Sequence, residues 1–344
     1  MPRMTDPTSS TAAHRPTLMT VHAHPDDETI GTGGTMARAV LDGRRVVLVT
    51  CTRGEMGDIV VPALDTPDNH RRLGELRAVE LEHAMEALGV TEWENLGYRD
   101  SDMIGRPGNR DARCFWQANL DEAIGRLVFL VRTHKPDVMT TYNDFGGYGH
   151  PDHIRTHLVA VGAFARAGDS DWYPEQIAPE HGGTGAPVAE GGLAPWTPAK
   201  LYEQAIPSSV RTAIQERMEA AGERSFWSPP VDATPEQLEA YHTQMSRMMV
   251  PDETITAWVD VSTVLDKRWN AFRAHVTQIS EDHPFVRFGK GAWKDFWNRE
   301  AFVRRETRVS APDHETDLFA GLEGRAPGPY GWGGAAPAAD TGSM

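Results

Sequence analysis

The chain is poor in cysteine, with only Cys51 and Cys114 among 344 residues. Neither has a partner at metal-ligand spacing, so a disulfide scaffold and a thiolate metal site are both excluded, and a reducing, cytoplasmic setting is expected. Surplus positive charge is also missing. Lys and Arg total 34 against 49 Asp and Glu, a formal net charge of −15. That argues against nucleic acid or an anionic membrane surface as a partner, because binding phosphates needs clustered cations. No apolar run approaches the roughly 18–20 residues that span a bilayer. The stretch 1–15 is polar and rich in Ser and Thr, without the apolar segment of a signal peptide, and reads as a loose tail. What remains, 40% apolar and 24% charged residues, is the composition of a soluble globular protein long enough to bury a sizeable core.

Apolar periodicity organises the first half. Leu18–Ala23 and Arg45–Cys51 are continuous apolar runs, as expected for parallel strands covered on both faces. Between them Gly33–Leu41, with Gly43 as its stop, is long enough for a crossover helix. Leu73, Leu76, Leu81, Met85 and Leu88 fall at helical spacing and end at Gly89. Trp93–Tyr98 reads as a third strand, Leu120–Val131 as another amphipathic helix and Val138–Tyr142 as a fourth strand. Alternating strands and helices predict an α/β, Rossmann-like, mostly parallel sheet with the fourth strand beside the first and a ligand crevice between their carboxyl ends. The expected organisation is a tail (1–15), a catalytic core (16–167), a Gly/Pro/Ala-rich insertion or lid loop (168–199), a smaller α+β portion (200–324) that completes the site, and a Gly/Pro/Ala tail (325–344). In the α+β portion, strands are expected at Lys200–Ile206 and near Ile255–Val261, with helices from Ser208 and over Val264–Ile279.

Two motifs carry chemistry. His24-Pro25-Asp26-Asp27-Glu28 follows the first strand directly, and carboxylates packed within one turn of a histidine need a cation or a proton to stay together. Tyr148-Gly149-His150-Pro151-Asp152-His153 lies just beyond the fourth strand, at the start of a helix. Either motif alone could be an N-cap cluster. At two neighbouring strand ends they assemble instead a His/His/carboxylate set with an open position, a common catalytic zinc arrangement that lowers the pKa of water from about 16 to about 7. His24, Asp27 and His153 are the expected ligands. Asp26 is left as general base, and His150, held charged by Asp152, as the oxyanion or leaving-group partner. Iron or cobalt suits the same donors. His22 reads as a structural hydrogen-bonder. Gly31, Gly33 and Gly34 raise a dinucleotide loop, but HPDDE occupies the place of GxGxxG and its carboxylates would repel a pyrophosphate.

On these residues the sequence resembles the LmbE-like, or PIG-L, family of zinc-dependent N-deacetylases and amidases. The matching segments are AHPDDE (Ala23–Glu28), TCTRGEMGD (Thr50–Asp58), RLGELRAVEL (Arg72–Leu81), YRDSDM (Tyr98–Met103) and GGYGHPDHIRTH (Gly146–His157). AHVTQI (Ala274–Ile279) and ETDLFAGL (Glu315–Leu322) are similar to the mycothiol branch, which holds the N-acetylglucosaminyl-inositol deacetylase and the mycothiol S-conjugate amidase. The resemblance implies the same metal ligands and base, places Tyr148 over the substrate carbonyl, and assigns Arg72, Asp100 and Asp58 to sugar or polyol hydroxyls. The chain departs from the branch at Thr29–Gly34, where Gly31 stands in place of the amidase's lysine, and at the insertion from Gly168 onward and the segment Phe226–Pro251, neither of which has a recognised counterpart.

Three functions follow: a deacetylase acting on an N-acyl glucosamine linked to a polyol, an amidase acting on thiol conjugates or bulkier secondary-metabolite amides, or a non-catalytic sugar- or metal-binding protein that kept the fold. The expected partner is a small amino-sugar or thiol-conjugate substrate, and a homo-oligomer is compatible with the composition.

Overall fold

The computed structural model describes residues 14–182, 192–225 and 227–333. Most of both expected tails (1–13 and 334–344) and the middle of the insertion (183–191) fall outside the described residues. The strands are β1 (Thr17–His22), β2 (Arg45–Thr50), β3 (Glu92–Asn95), β4 (Val138–Thr141), β5 (Lys200–Pro207), β6 (Met249–Val250), β7 (Ala257–Asp260) and β8 (Arg299–Thr307). They form one sheet in the order β3-β2-β1-β4-β5-β8-β7, with β6 paired to the end of β5. The run from β3 to β5 is parallel, β8 is antiparallel to β5, and β7 is antiparallel to β8. This is the expected Rossmann-like α/β architecture. From β1 the chain turns one way to β2 and later the other way to β4, so the crevice at their carboxyl ends is a topological switch point.

Strand alternation divides the apolar residues between two layers. Leu18, Val46, Leu48 and Val138 face Met36, Leu81, Met85 and Leu88. Met19, Val21, Val47, Val49 and Met139 face Ile124, Leu127, Val131 and Val159. The helices Gly33–Leu41 and Leu73–Leu88 thus cover one face, while Leu120–His134 and Pro151–Arg166 cover the other. Gly89, at φ 81°, closes the Leu73 helix in the left-handed conformation that glycine adopts without strain. Among the described residues no helix is long and apolar enough to cross a membrane.

Several elements differ from expectation. The C-terminal strands continue the same sheet. β8 reads REAFVRRET, too charged to predict as a strand; it forms because Ala301 and Phe302 are buried while its far end stays exposed. The helix expected over Val264–Ile279 runs only from Leu265 to Ala274. Beyond it the backbone amide and hydroxyl of Thr277 donate to the Glu80 carboxylate at 2.7 and 2.8 Å, which holds the segment out of a helix. The tail expected from Arg325 is packed as far as residue 333, because Trp332 is buried and donates its amide to the Thr197 carbonyl at 2.8 Å, while the Thr197 amide donates to the Tyr330 carbonyl at 2.9 Å. Asp137, wholly buried at the amino end of β4, accepts from the Thr17 amide (2.7 Å) and Trp332 Nε1 (2.7 Å) and bonds His14 Nε2 (2.9 Å). The described flank 168–182 of the insertion is fastened to the Leu120 helix, whose buried Arg132 donates to the carbonyls of Ala167, Asp169 and Trp172.

Candidate active site

The loop leaving β1 is fixed on every side. The Ala23 amide donates to the Tyr142 hydroxyl at 2.9 Å, and the His24 amide donates to Asp27 Oδ2 at 2.9 Å. Asp26 takes φ 109°, a left-handed geometry that costs an L-residue on the order of 1–3 kcal/mol. Its amide donates to Glu28 Oε2 at 2.8 Å, and its carbonyl accepts from the Thr29 amide and hydroxyl. Its carboxylate lies 3.1 Å from Arg77 Nη2. Arg77 also bonds the carbonyls of Pro25 and Gly54, and so ties two loops together.

Within this frame three donor atoms converge. His24 Nδ1 lies 3.3 Å from Asp27 Oδ2, His153 Nε2 lies 3.3 Å from the same oxygen, and the two nitrogens are 3.3 Å apart. A tetrahedral ion with bonds of 2.0–2.1 Å has ligand–ligand edges of about 3.3–3.4 Å, so the triangle fits a small divalent metal. The far nitrogens are oriented by other groups, as ligating imidazoles usually are. His153 Nδ1 bonds the Gly146 carbonyl at 3.1 Å, and His24 Nε2 lies 3.2 Å from Asp152 and 3.7 Å from Asp100.

Two other trios, His24 with His150 and His153, and His24 with Asp100 and Asp152, bring ligand atoms within 4.8 Å. Their carboxylates and His150 Nδ1 also accept hydrogen bonds from the chain. Asp152 accepts from the Ser101 amide (2.9 Å) and the Ser101 hydroxyl, Asp100 accepts from the Asp102 amide (2.8 Å), and His150 Nδ1 accepts from the Asp152 amide (3.1 Å). Burial pulls the His24 pKa down, but Asp100, Asp152 and Asp27 outweigh it and hold the imidazole well above its ordinary value. The centre is electronegative and favours positive charge. Burial raises Asp26 to about 6 against the opposing pull of Arg77.

His150 and Asp152 do not interact as expected. The Asp152 carboxylate points at His24 and Ser101, because residue 152 sits in the first turn of the Pro151 helix with its side chain turned toward β1. His150 caps that helix instead, and burial, with His24 and His153 beside it, lowers its pKa to about 2. It is therefore neutral. With Nδ1 accepting, its proton sits on Nε2.

Tyr148, 39% exposed, stands edge-on to His153 at 4.8 Å between ring centroids. Asp100 is buried beside His24, and Asp58 is exposed at the cleft rim, 3.6 Å from Arg106. Arg72 is exposed where two helices join and does not line the cleft; Arg77 and Arg106 do. Glu28 and His275, both fully buried and 2.8 Å apart, also went unread.

Two cavities meet at Asp27, Ile30 and Tyr148. One is polar and carries Asp26, Asp58, Asp100, Arg106, His150 and Gln278. The other is walled by apolar and aromatic residues from the C-terminal half.

The PIG-L family model, described as GlcNAc-PI de-N-acetylase, matches residues 19–164. The 1D-myo-inositol 2-acetamido-2-deoxy-alpha-D-glucopyranoside deacetylase of Geodermatophilus obscurus is 41% identical over 316 residues, 89% of this chain and 98% of that protein. The similarly named deacetylase 1 of Catenulispora acidiphila is 39% identical over 324 residues, 92% of each chain. Among solved structures, the N,N'-diacetylchitobiose deacetylase from Pyrococcus horikoshii superposes with a TM-score of 0.53 at 19% identity, covering 84% of this chain and 83% of that one, a likeness of fold.

Proposed function

Because the chain belongs to the PIG-L family of de-N-acetylases, we propose that it is a metal-dependent amide hydrolase that removes the acyl group from an N-acyl glucosamine linked to a polyol, with zinc as the metal. The observation that carries this reading is the triangle of His24 Nδ1, Asp27 Oδ2 and His153 Nε2, each edge 3.3 Å, with Asp26 beside it. These three residues hold the cation. A divalent metal there supplies Lewis acidity, polarising the amide carbonyl and making a water easier to deprotonate.

The protein groups perform the rest. Asp26, with a pKa of about 6, is matched to removing a proton from the attacking water near neutral pH and returning it to the leaving amine. His150 Nε2–H and the Tyr148 hydroxyl donate to the oxygen of the tetrahedral intermediate, each such donor being worth roughly 3–4 kcal/mol. His150 acts here as a neutral donor. In the polar cavity the Asp58 and Asp100 carboxylates accept from sugar and polyol hydroxyls, and Arg106 and Gln278 donate to them.

The test is amine release from N-acetylglucosaminyl-inositol by the zinc-loaded full chain beside a chelator-treated sample. Release that disappears with the metal supports the reading. No release from intact, metal-replete protein on this or any longer N-acyl homologue overturns it.

A further inference from the structure

The second cavity opens directly onto Asp27, Tyr142, Tyr148 and His153. It therefore continues the site at which the amide would be cleaved. Its wall comes from Ile206 at the end of β5, Val210 on the Ser208–Ala220 helix, Trp227, Met248, and Phe296 and Trp297 beyond the Leu265 helix. It offers about 190 Å³ of space, more than an acetyl methyl fills. Of its charged lining, Asp27 belongs to the His24–Asp27–His153 triangle, Arg299 lies over the Trp258 ring, and Arg268 and Glu300 pair with each other. Arg268 lies 3.2 Å from Glu300 and donates to the carbonyls of Thr29 and Ile30, while Glu300 accepts from the amides of Gly34 and Thr35.

An amide has two arms. The polar cavity, with its carboxylates, suits the hydroxylated amine arm; the second cavity has a mostly apolar wall with few polar groups, which would strip most of a polyol's hydroxyls of water without replacing their hydrogen bonds. That leaves the apolar cavity for the acyl arm.

Resting on the hydrolase reading above, we infer that the acyl group removed is an alkyl chain of medium length, longer than acetyl, seated in the cavity between β5 and the Gly289–Phe296 helix. The reaction balances as hydrolysis: R–CO–NH–R′ and water give R–COO⁻ and R′–NH₃⁺, the water oxygen entering the carboxylate and both of its protons the amine.

Gly31 and Gln204 set the cavity's inner end. A Cβ on residue 31 would fall 1.8 Å from Gln204 Oε1, so glycine there is what lets the Gln204 carboxamide lie against the loop. Its Oε1 is buried without a hydrogen-bond partner among the described residues. An unpaired acceptor beside the chain makes that end less favourable for apolar contact than it need be.

The experiment measures kcat/KM of the zinc-loaded full chain on N-acetyl- and N-octanoyl-glucosaminyl-inositol. Each buried methylene contributes about fourfold or more, so octanoyl is expected to exceed acetyl by at least about tenfold. Val210→Trp, which fills the cavity, should lower the octanoyl-to-acetyl ratio by about tenfold, and Gln204→Leu should raise it severalfold. Two variants moving one ratio in opposite directions cannot both be misfolded. As a reading independent of turnover, octanoate added to the chelator-treated chain should quench tryptophan emission from Trp227 and Trp297, and acetate should not. Turnover of acetyl with octanoyl no faster, and no octanoate quenching, overturns the inference and leaves the hydrolase reading standing. Release from neither substrate overturns both.

Discussion

His275 and Glu28 meet across 247 positions of sequence, Nε2 to Oε1 at 2.8 Å, with neither side chain exposed to solvent. The other oxygen of Glu28 accepts the Asp26 amide, so the C-terminal half reaches the proposed base through a single carboxylate. Glu28→Gln is expected to lower kcat by about 10–100-fold with little change in KM or bound zinc, the range seen when a supporting contact behind a working group is lost. Steady-state kinetics with metal analysis checks this. A KM-only effect would show that the pair does not position Asp26.

Asp26→Asn removes the proposed proton acceptor and keeps the size of the side chain. Turnover should fall by at least about 10²-fold, while zinc content stays stoichiometric because the metal triangle is untouched. Asp27→Ala and His153→Ala should lose the metal itself. Elemental analysis after dialysis separates the two classes, and loss of zinc from Asp26→Asn would contradict the assignment.

Asp152 offers a sharper test, since its carboxylate faces His24 and not His150. Asp152→Ala should weaken zinc affinity by about 10–100-fold by freeing the His24 ring, whereas His150→Ala should leave affinity near wild type and lower kcat. Competition with a chromogenic chelator reads the affinity directly.

His22 governs part of the acid stability. Burial lowers its pKa from 6.5 to about 4, so between those values the unfolded chain binds the proton more readily than the folded one. Stability is therefore fully present above about pH 6.5 and lost as pH falls toward 4, by up to roughly 3 kcal/mol. His22→Gln should remove that share of the decline. Urea unfolding midpoints of the metal-free chain and the variant at pH 7 and pH 4.5 test it, and parallel slopes would exclude His22.

Much of this was legible in the sequence, for identifiable reasons. HPDDE and HPDH could be placed because each abuts a continuous apolar run, and parallel-sheet topology brings such ends together whatever their chain separation. Arg77 was missed because it resembles any helical surface charge. Its signal lay in the spacing: Arg77 and Glu80 fall on the same stripe as the buried Leu73, Leu81, Ala84 and Leu88, and a charge on a buried stripe needs a partner. Arg72, one residue ahead of the Leu73 helix, is not on that stripe. The target of Asp152 could not be read, because helical spacing puts it near His150 in sequence while the direction of its side chain in the first turn is a matter of three dimensions. β8 was hidden by its charges, which a strand near the sheet edge can keep in water.

Asp137 gathers His14, Thr17 and Trp332 at the amino ends of the strands, whereas the triangle of His24, Asp27 and His153 lies beyond the carboxyl ends. Seen as a mechanical object, the molecule has a handle and a working end. A tether attached through the segment around His14 or Trp332 pulls on the pole away from both cavities, so the enzyme can be anchored to a bead or a surface with both cavity mouths facing the solution.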